Sequence, residues 1–171
     1  MIPTLKTERL ILSPRRQTDL EDCVAMDSDI EVRRYIDPDF RDNFVLEDYR
    51  SELRERIDRD FGEGCGYWIL RDAGDRFLGQ LLLIPMAETG PEIEVGWRLP
   101  RVFWGQGFAG EAARAVLNYA FTTLGLDQVV ARIDPENRPS AALAERLGFL
   151  CDGRHVAAKC EYDLYRLKSA K

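Results

Sequence analysis

Residues 102–113 read Val102-Phe103-Trp104-Gly105-Gln106-Gly107-Phe108-Ala109-Gly110-Glu111-Ala112-Ala113, and no other stretch constrains the fold of this 171-residue chain as tightly. An apolar, strand-like run ends at Leu99, and an amphipathic helical run follows the glycines and ends near Leu124. The segment between them is therefore a strand-to-helix turn. A turn so poor in side chains lets a ligand approach the backbone, and the free N–H groups that open a helix attract anions. Gly105, Gln106, Gly107, Phe108, Ala109 and Gly110 are expected to cradle a phosphorylated ligand.

The remaining elements follow from periodicity and punctuation. Residues 9–12 read as a first strand, closed by Pro14. Thr18 and Asp19 open a helix with Leu20, Cys23 and Val24 on one face. Residues 32–44 read as irregular, with Asp37-Pro38 as a turn. Tyr49, Leu53, Ile57 and Phe61 predict one surface helix over residues 46–61, ended by Gly62 or Gly64. Strands follow at 67–70 and 77–84, joined by a hairpin turn at 72–75, and a third at 93–99 has Gly96 as a bulge or close approach. After the glycine turn come a helix ended by Gly125, a strand at 128–133, and a short helix opened by Pro139 and ended by Gly148. Strands at 149–156 and 162–167 close the chain. This order predicts an α/β (α+β) fold: a mixed, mainly antiparallel sheet of about six to seven strands flanked by about four helices.

Composition narrows the function. A length of 171 residues, 45% hydrophobic and 32% charged, suits one globular domain over residues 1–171. The opening residues carry no apolar signal core and no run approaches a membrane span, so a cytoplasmic protein is expected. A net charge of −6 argues against nucleic-acid binding and is compatible with a cationic acceptor such as an amine. Cys23, Cys65, Cys151 and Cys160 form no Cys-x-x-Cys pair and lie at no ligand spacing from His155, the one histidine. No metal site is expected, and the cysteines read as buried free thiols. The default assembly is a homodimer.

Taken literally, Gly105-x-Gly107-x-x-Gly110 is also the fingerprint of dinucleotide-binding folds, which would make the chain an oxidoreductase. Two features oppose this: residues 100–104 separate the strand from the first glycine, and only about 60 residues follow the last one. A nucleotide-triphosphate loop fails because no Lys-Ser/Thr follows the glycines.

Four segments in order resemble the Gcn5-related N-acetyltransferases, and within them the ribosomal-protein-alanine N-acetyltransferase subgroup. They are Thr7-Glu8-Arg9-Leu10, Glu94-Val95-Gly96-Trp97, the loop from Trp104 to Ala109, and Asn137-x-x-Ser140 running into Leu147-Gly148-Phe149. Trp104 departs from the superfamily's Arg/Gln at the head of the loop, a substitution usual in the subgroup. The resemblance spans essentially the whole chain. It implies acetyl-CoA as cosubstrate, with its pyrophosphate on residues 105–110 and its pantetheine arm along the backbone of Trp97, Arg98 and Leu99, with Asn137 nearby.

Direct transfer to a primary amine, on a peptide N-terminus or a small molecule, then needs a proton acceptor. Glu94, on one strand face with Glu92, is the expected base or water-positioning residue. A backbone N–H at Trp97 or Arg98 would stabilise the oxyanion. The tyrosine that many members use to protonate the leaving thiolate is replaced by Ala144, so Ser140 or water is expected to do this. Arg101 and Arg138 are candidates for the 3′-phosphate, and the segment 32–64 for shaping the acceptor pocket. Tyr35, Tyr67 and Trp68 either line that pocket or pack in the core. Without the transfer chemistry, the same features describe an acyl-CoA-binding sensor module.

Overall fold

The computed structural model describes residues 2–88, 90–157 and 160–170. Its frame is an eight-stranded sheet in the order β1-β2-β3-β4-β5-β6-β8-β7. The strands are β1 (Leu5–Lys6), β2 (Ile11–Pro14), β3 (Gly66–Arg71), β4 (Phe77–Pro85), β5 (Ile93–Arg98), β6 (Gln128–Ile133), β7 (Leu150–Ala157) and β8 (Cys160–Lys168). The helices are α1 (Leu20–Ser28), α2 (Ile30–Arg33), α3 (Pro38–Asp42), α4 (Leu46–Arg56), α5 (Phe108–Thr122) and α6 (Arg138–Arg146). Every registered pair is antiparallel except β5 with β6. The mixed, mainly antiparallel sheet is as expected, with one strand more than the upper figure, and it rules out a parallel dinucleotide-binding sheet. The extra strand is β1: Thr7 takes the N–H of Leu10 on its hydroxyl at 3.0 Å and folds residues 7–10 into a turn.

The two short helices correct the irregular reading of residues 32–44. Asp29 and Asp37 accept the backbone N–H groups of Glu31 (3.0 Å) and Asp39 (2.9 Å), and Pro38 occupies the first turn of α3. Asp37-Pro38 is a cap followed by the proline that helices favour at their start, and both residues serve a helix as readily as a turn. The helix read as reaching Phe61 stops at Arg56. Apolar residues four apart drift by about 40° per step around a 3.6-residue helix. Tyr49, Leu53 and Ile57 are buried, whereas Phe61 lies outside the helix and packs on Tyr67 with ring centroids 5.6 Å apart. Gly96 makes no bulge, because β4 and β5 keep one register from Gln80↔Arg98 to Pro85↔Ile93. The irregular step falls between Leu70 and Arg71, opposite Gly79.

Alternation along the strands divides the core in two. Trp68, Leu70, Leu81, Leu83, Val95, Val129 and Ala131 face α5 and α6, where Ala112, Ala113, Val116 and Ala120 allow close approach. Ile69 on the other face packs with Leu20, Cys23, Val24, Tyr49, Leu53 and Ile57 of the N-terminal helices. Of the four cysteines only Cys23 is buried, and Cys151 is exposed on edge strand β7, which corrects the expectation of buried thiols. Among the described residues no helix is long and apolar enough to cross a membrane.

Candidate active site

The two halves of the sheet meet at one point. The parallel ladder between β5 and β6 registers only Glu94↔Val130, so beyond it the strands diverge and leave that edge of residues 95–98 without strand partners. The glycine turn follows β5 directly. Gly105 (φ +71°) and Gly107 (φ +83°) occupy the left-handed region that favours glycine, and nothing lies within 4 Å of where a Gly105 side chain would stand. Gly107 caps α5 without a side-chain hydrogen bond, so the first turn of a 15-residue helix presents free N–H groups. Gly110 has a different duty: a Cβ there would meet Leu143 of α6 at 3.2 Å, so it sets the α5–α6 spacing.

The strand-to-helix turn is held from outside by the N-terminal segment. Glu111, in the first turn of α5, accepts the Thr7 hydroxyl (2.5 Å), the Arg9 backbone N–H (2.8 Å) and Arg9 Nε (2.6 Å). Arg9 Nη1 donates to the Gln106 carbonyl at 3.0 Å, and its guanidinium lies 4.5 Å from the Phe108 ring centre. Burial works to raise the Glu111 pKa, but the bonds from Thr7 and Arg9 outweigh it and hold the carboxyl below its ordinary value. Trp104 supplies a donor of its own kind, with its indole N–H 2.7 Å from the Leu99 carbonyl. That carbonyl is thereby already engaged.

Across the divergence, Trp97 Nε1 donates to Ser140 Oγ at 3.3 Å, and the Asn137 side chain caps α6 by accepting the Ser140 N–H at 3.2 Å. Trp97, Ser140 and Asn137 are thus brought together on the α5–α6 face, next to the glycine turn. Ala144 is fully buried, and Tyr165 is a core residue with 6% exposure. Arg101 pairs with Asp29 at 3.1 Å, and Arg138 is exposed.

Glu94 is 9% exposed and faces the opposite side of the sheet. Its carboxylate takes three hydrogen bonds from Arg132 of β6, at 2.8, 3.1 and 3.1 Å. Burial opposes the Arg132 charge, yet these bonds carry its pKa above the ordinary value. Glu92 pairs with Arg166 at 2.5 Å. Neither partner arginine was foreseen, because i, i+2 alternation says which face a strand residue takes and not what its neighbour strand brings.

On that same face the Arg98 side chain turns away from the glycine loop. It donates to Asp27 at 2.8 Å, and Asp27, fully buried, also accepts the Tyr49 hydroxyl. Burial disfavours the Arg98 charge, but Asp27 outweighs it and raises the pKa. A cavity of about 70 Å³ opens here. Tyr49, Leu53, Arg56, Arg59 and Phe61 on its wall lie within the expected segment 32–64, whereas Arg15, Gln80 and Glu88 come from outside it. Tyr67 lines this cavity; Trp68 is instead fully buried, bonded through its indole to the Pro3 carbonyl at 2.8 Å. Tyr35 lies beneath the Arg34 guanidinium, 5.5 Å from it, and does not line the cavity. His155 stacks on Tyr162 in the exposed β7–β8 hairpin. Among the described residues no group of three or more His, Cys, Asp or Glu side chains is placed to hold a metal.

Comparison with known proteins agrees with this architecture. The acetyltransferase (GNAT) domain family matches residues 9–150. An uncharacterized N-acetyltransferase of Bacillus licheniformis is 32% identical over 154 residues, covering 88% of this chain and 84% of its own. The crystal structure of an acetyltransferase from Agrobacterium tumefaciens superposes with a TM-score of 0.81 at 29% identity, covering 99% of this chain and 96% of that one. The fold is also that of a spermidine N-acetyltransferase from Vibrio cholerae in complex with CoA and spermine, with a TM-score of 0.75 at 18% identity over 95% of this chain and 96% of that one. A family match over residues 9–150, a relative aligned along most of its length, and a diverging β5–β6 pair beside an uncapped glycine turn agree: this chain belongs to the GNAT acetyltransferases.

Proposed function

We propose that this protein transfers an acetyl group from acetyl-CoA to a primary amine by direct attack in a ternary complex, as a single cytoplasmic domain. The observation that carries the reading is the uncapped α5 N-terminus at Gly107, set beside the unpaired edge of β5. The turn fits a pyrophosphate: Gly105 has open space where a side chain would stand, and the N–H groups of residues 105–110 with the positive helix end supply donors. The open edge of Trp97 and Arg98 fits the amides of the pantetheine arm, and the Leu99 carbonyl is the exception, since Trp104 holds it. When bound, acetyl-CoA supplies the activated acyl group.

The chain's own residues orient the amine and move its proton. A backbone N–H of Trp97 or Arg98 donates to the developing negative oxygen. Glu94, fixed by Arg132 at the point where the strands part, takes the ammonium proton through water. Ser140, with its oxygen held by the Trp97 indole, presents its hydroxyl proton toward the leaving sulfur, and Asn137 fixes the start of its helix. The direct test is thermal stabilisation by acetyl-CoA together with thiol release over a panel of amines and peptides. Saturation at 100-fold over Kd should stabilise the fold by about 2.7 kcal/mol. No stabilisation, or stabilisation by NAD instead, would overturn the reading. Binding without thiol release from any acceptor would make the chain a sensor.

A further inference from the structure

The cavity on the Glu94 face carries a charge opposite to that of the whole molecule. Four of its ten lining residues are arginines, Arg15, Arg56, Arg59 and Arg98, against one carboxylate, Glu88, in a chain of net charge −6. Two of these cations are already engaged, because Arg59 pairs with Glu88 and Arg98 with the buried Asp27. The other two have no carboxylate partner among the described residues. Arg15 lies over the Tyr67 ring at 3.8 Å and makes only long contacts, to Gln80 Oε1 (3.4 Å) and the Ile57 carbonyl (3.5 Å). Its Nε is shut off from solvent with no hydrogen-bond partner. A guanidinium removed from water without a counter-charge is costly, and burial pushes the Arg15 pKa below its ordinary value. An arriving carboxylate would offset that cost, since it matches the guanidinium fork in shape and charge.

We infer that the acceptor amine carries a carboxylate, held in this cavity by Arg15 and Arg56, with its amino group directed along β5 toward Gly96. This rests on the acetyltransferase reading above and specifies its acceptor. Size agrees: a cavity of about 70 Å³ has room for a carboxylate end. Position agrees as well. Arg98 and Gln80 face each other across the β4–β5 ladder on the cavity wall, and Gly96 follows two residues back, about 7 Å along the strand. An extended ω-amino acid such as 4-aminobutyrate approaches that span, and an α-amino acid falls short of it. The cationic wall also disfavours a polycation such as spermidine, so the cavity selects against one substrate class while it recruits another.

The test uses matched pairs with the full chain and acetyl-CoA: L-alanine against L-alaninamide, 4-aminobutyrate against butylamine, and spermidine as the cationic reference. Thiol release is expected to give a kcat/KM at least tenfold higher for the acid of one pair than for its carboxylate-free counterpart, with spermidine lowest. Which acid wins fixes the spacing between amine and carboxylate. Arg56→Gln, at an exposed position, should raise KM for the acid about tenfold and leave butylamine and acetyl-CoA binding unchanged. Arg15→Lys should do the same while keeping a charge under Tyr67. Carboxylate-free acceptors used as well as the acids, or an unchanged KM in Arg56→Gln, overturns the proposal while leaving the acetyltransferase reading intact. Calorimetric titration with 4-acetamidobutyrate and N-butylacetamide needs no turnover. Tenfold tighter binding of the acid, lost in Arg56→Gln, supports the cavity even if no thiol is released, and equal or absent binding of the two overturns it.

Discussion

Replacing Glu94 by Gln separates what this residue does for the sheet from what it does for the reaction. In the native fold its carboxylate, 12% exposed as a side chain, takes three bonds from Arg132, which is 33% exposed. Breaking a fully buried pair costs about 3–5 kcal/mol, and an exposed one contributes at most about 1. A pair with one end a third exposed lies between, and the amide keeps one acceptor oxygen, so Glu94→Gln should lose about 1–3 kcal/mol in urea unfolding. If Glu94 also takes the amine proton, kcat/KM for the best acceptor should fall about 10²–10⁴-fold, or about 3–5 kcal/mol of barrier. Thiol release at saturating acetyl-CoA between pH 6 and 9 reads the second effect, on protein shown to be folded by its urea curve. A variant that loses stability but keeps full kcat at every pH would reduce Glu94 to a strut between β5 and β6 and refute its place in proton transfer.

Other positions give equally direct outcomes. Gly79 has φ +140°, and a Cβ there would stand 2.5 Å from the Arg98 carbonyl oxygen, so Gly79→Ala should cost about 2–4 kcal/mol or prevent folding, as read from the urea midpoint or soluble yield. Glu111, lowered in the folded state from an ordinary 4.5, contributes stability that is complete above that value and disappears as pH falls through the lowered one. Thermal melts across pH 3–6 should therefore decline on the acid side, and Glu111→Gln should start less stable at pH 6 and decline less. Burial pushes the Cys23 thiol up to about 12, while Cys151 is exposed. A disulfide thiol reagent at pH 8 should modify Cys151 rapidly and Cys23 only on unfolding. Any thiol-release assay is cleaner in a Cys151→Ser background.

The legible part of this protein was local. Gly105, Gly107 and Gly110 marked the turn, because a missing Cβ is a property of single positions. The boundaries of β6 were read residue for residue, from a β-rich run followed by polar turn residues. Capping was more ambiguous: Asp37-Pro38 fits a turn or a helix start, and the choice depends on whether the apolar residues that follow find a surface. Here Phe40 found Tyr49, with ring centroids 5.0 Å apart, and the segment became α3.

What the sequence alone determined is the element order from β3 onward, the turn that fits phosphate, and the face on which each strand residue lies. These follow from backbone sterics and periods of 2 and 3.6 residues, which act over a few positions. Tertiary structure decided the pairings: Glu111 with Thr7 and Arg9, Glu94 with Arg132, Trp97 with Ser140, and Arg15 with no carboxylate among the described residues. Each depends on charges and side-chain lengths meeting across elements as much as 104 positions apart, and such distances enter no local pattern. The glycine turn was therefore visible in the sequence, and the cationic cavity on the other face of the sheet was not.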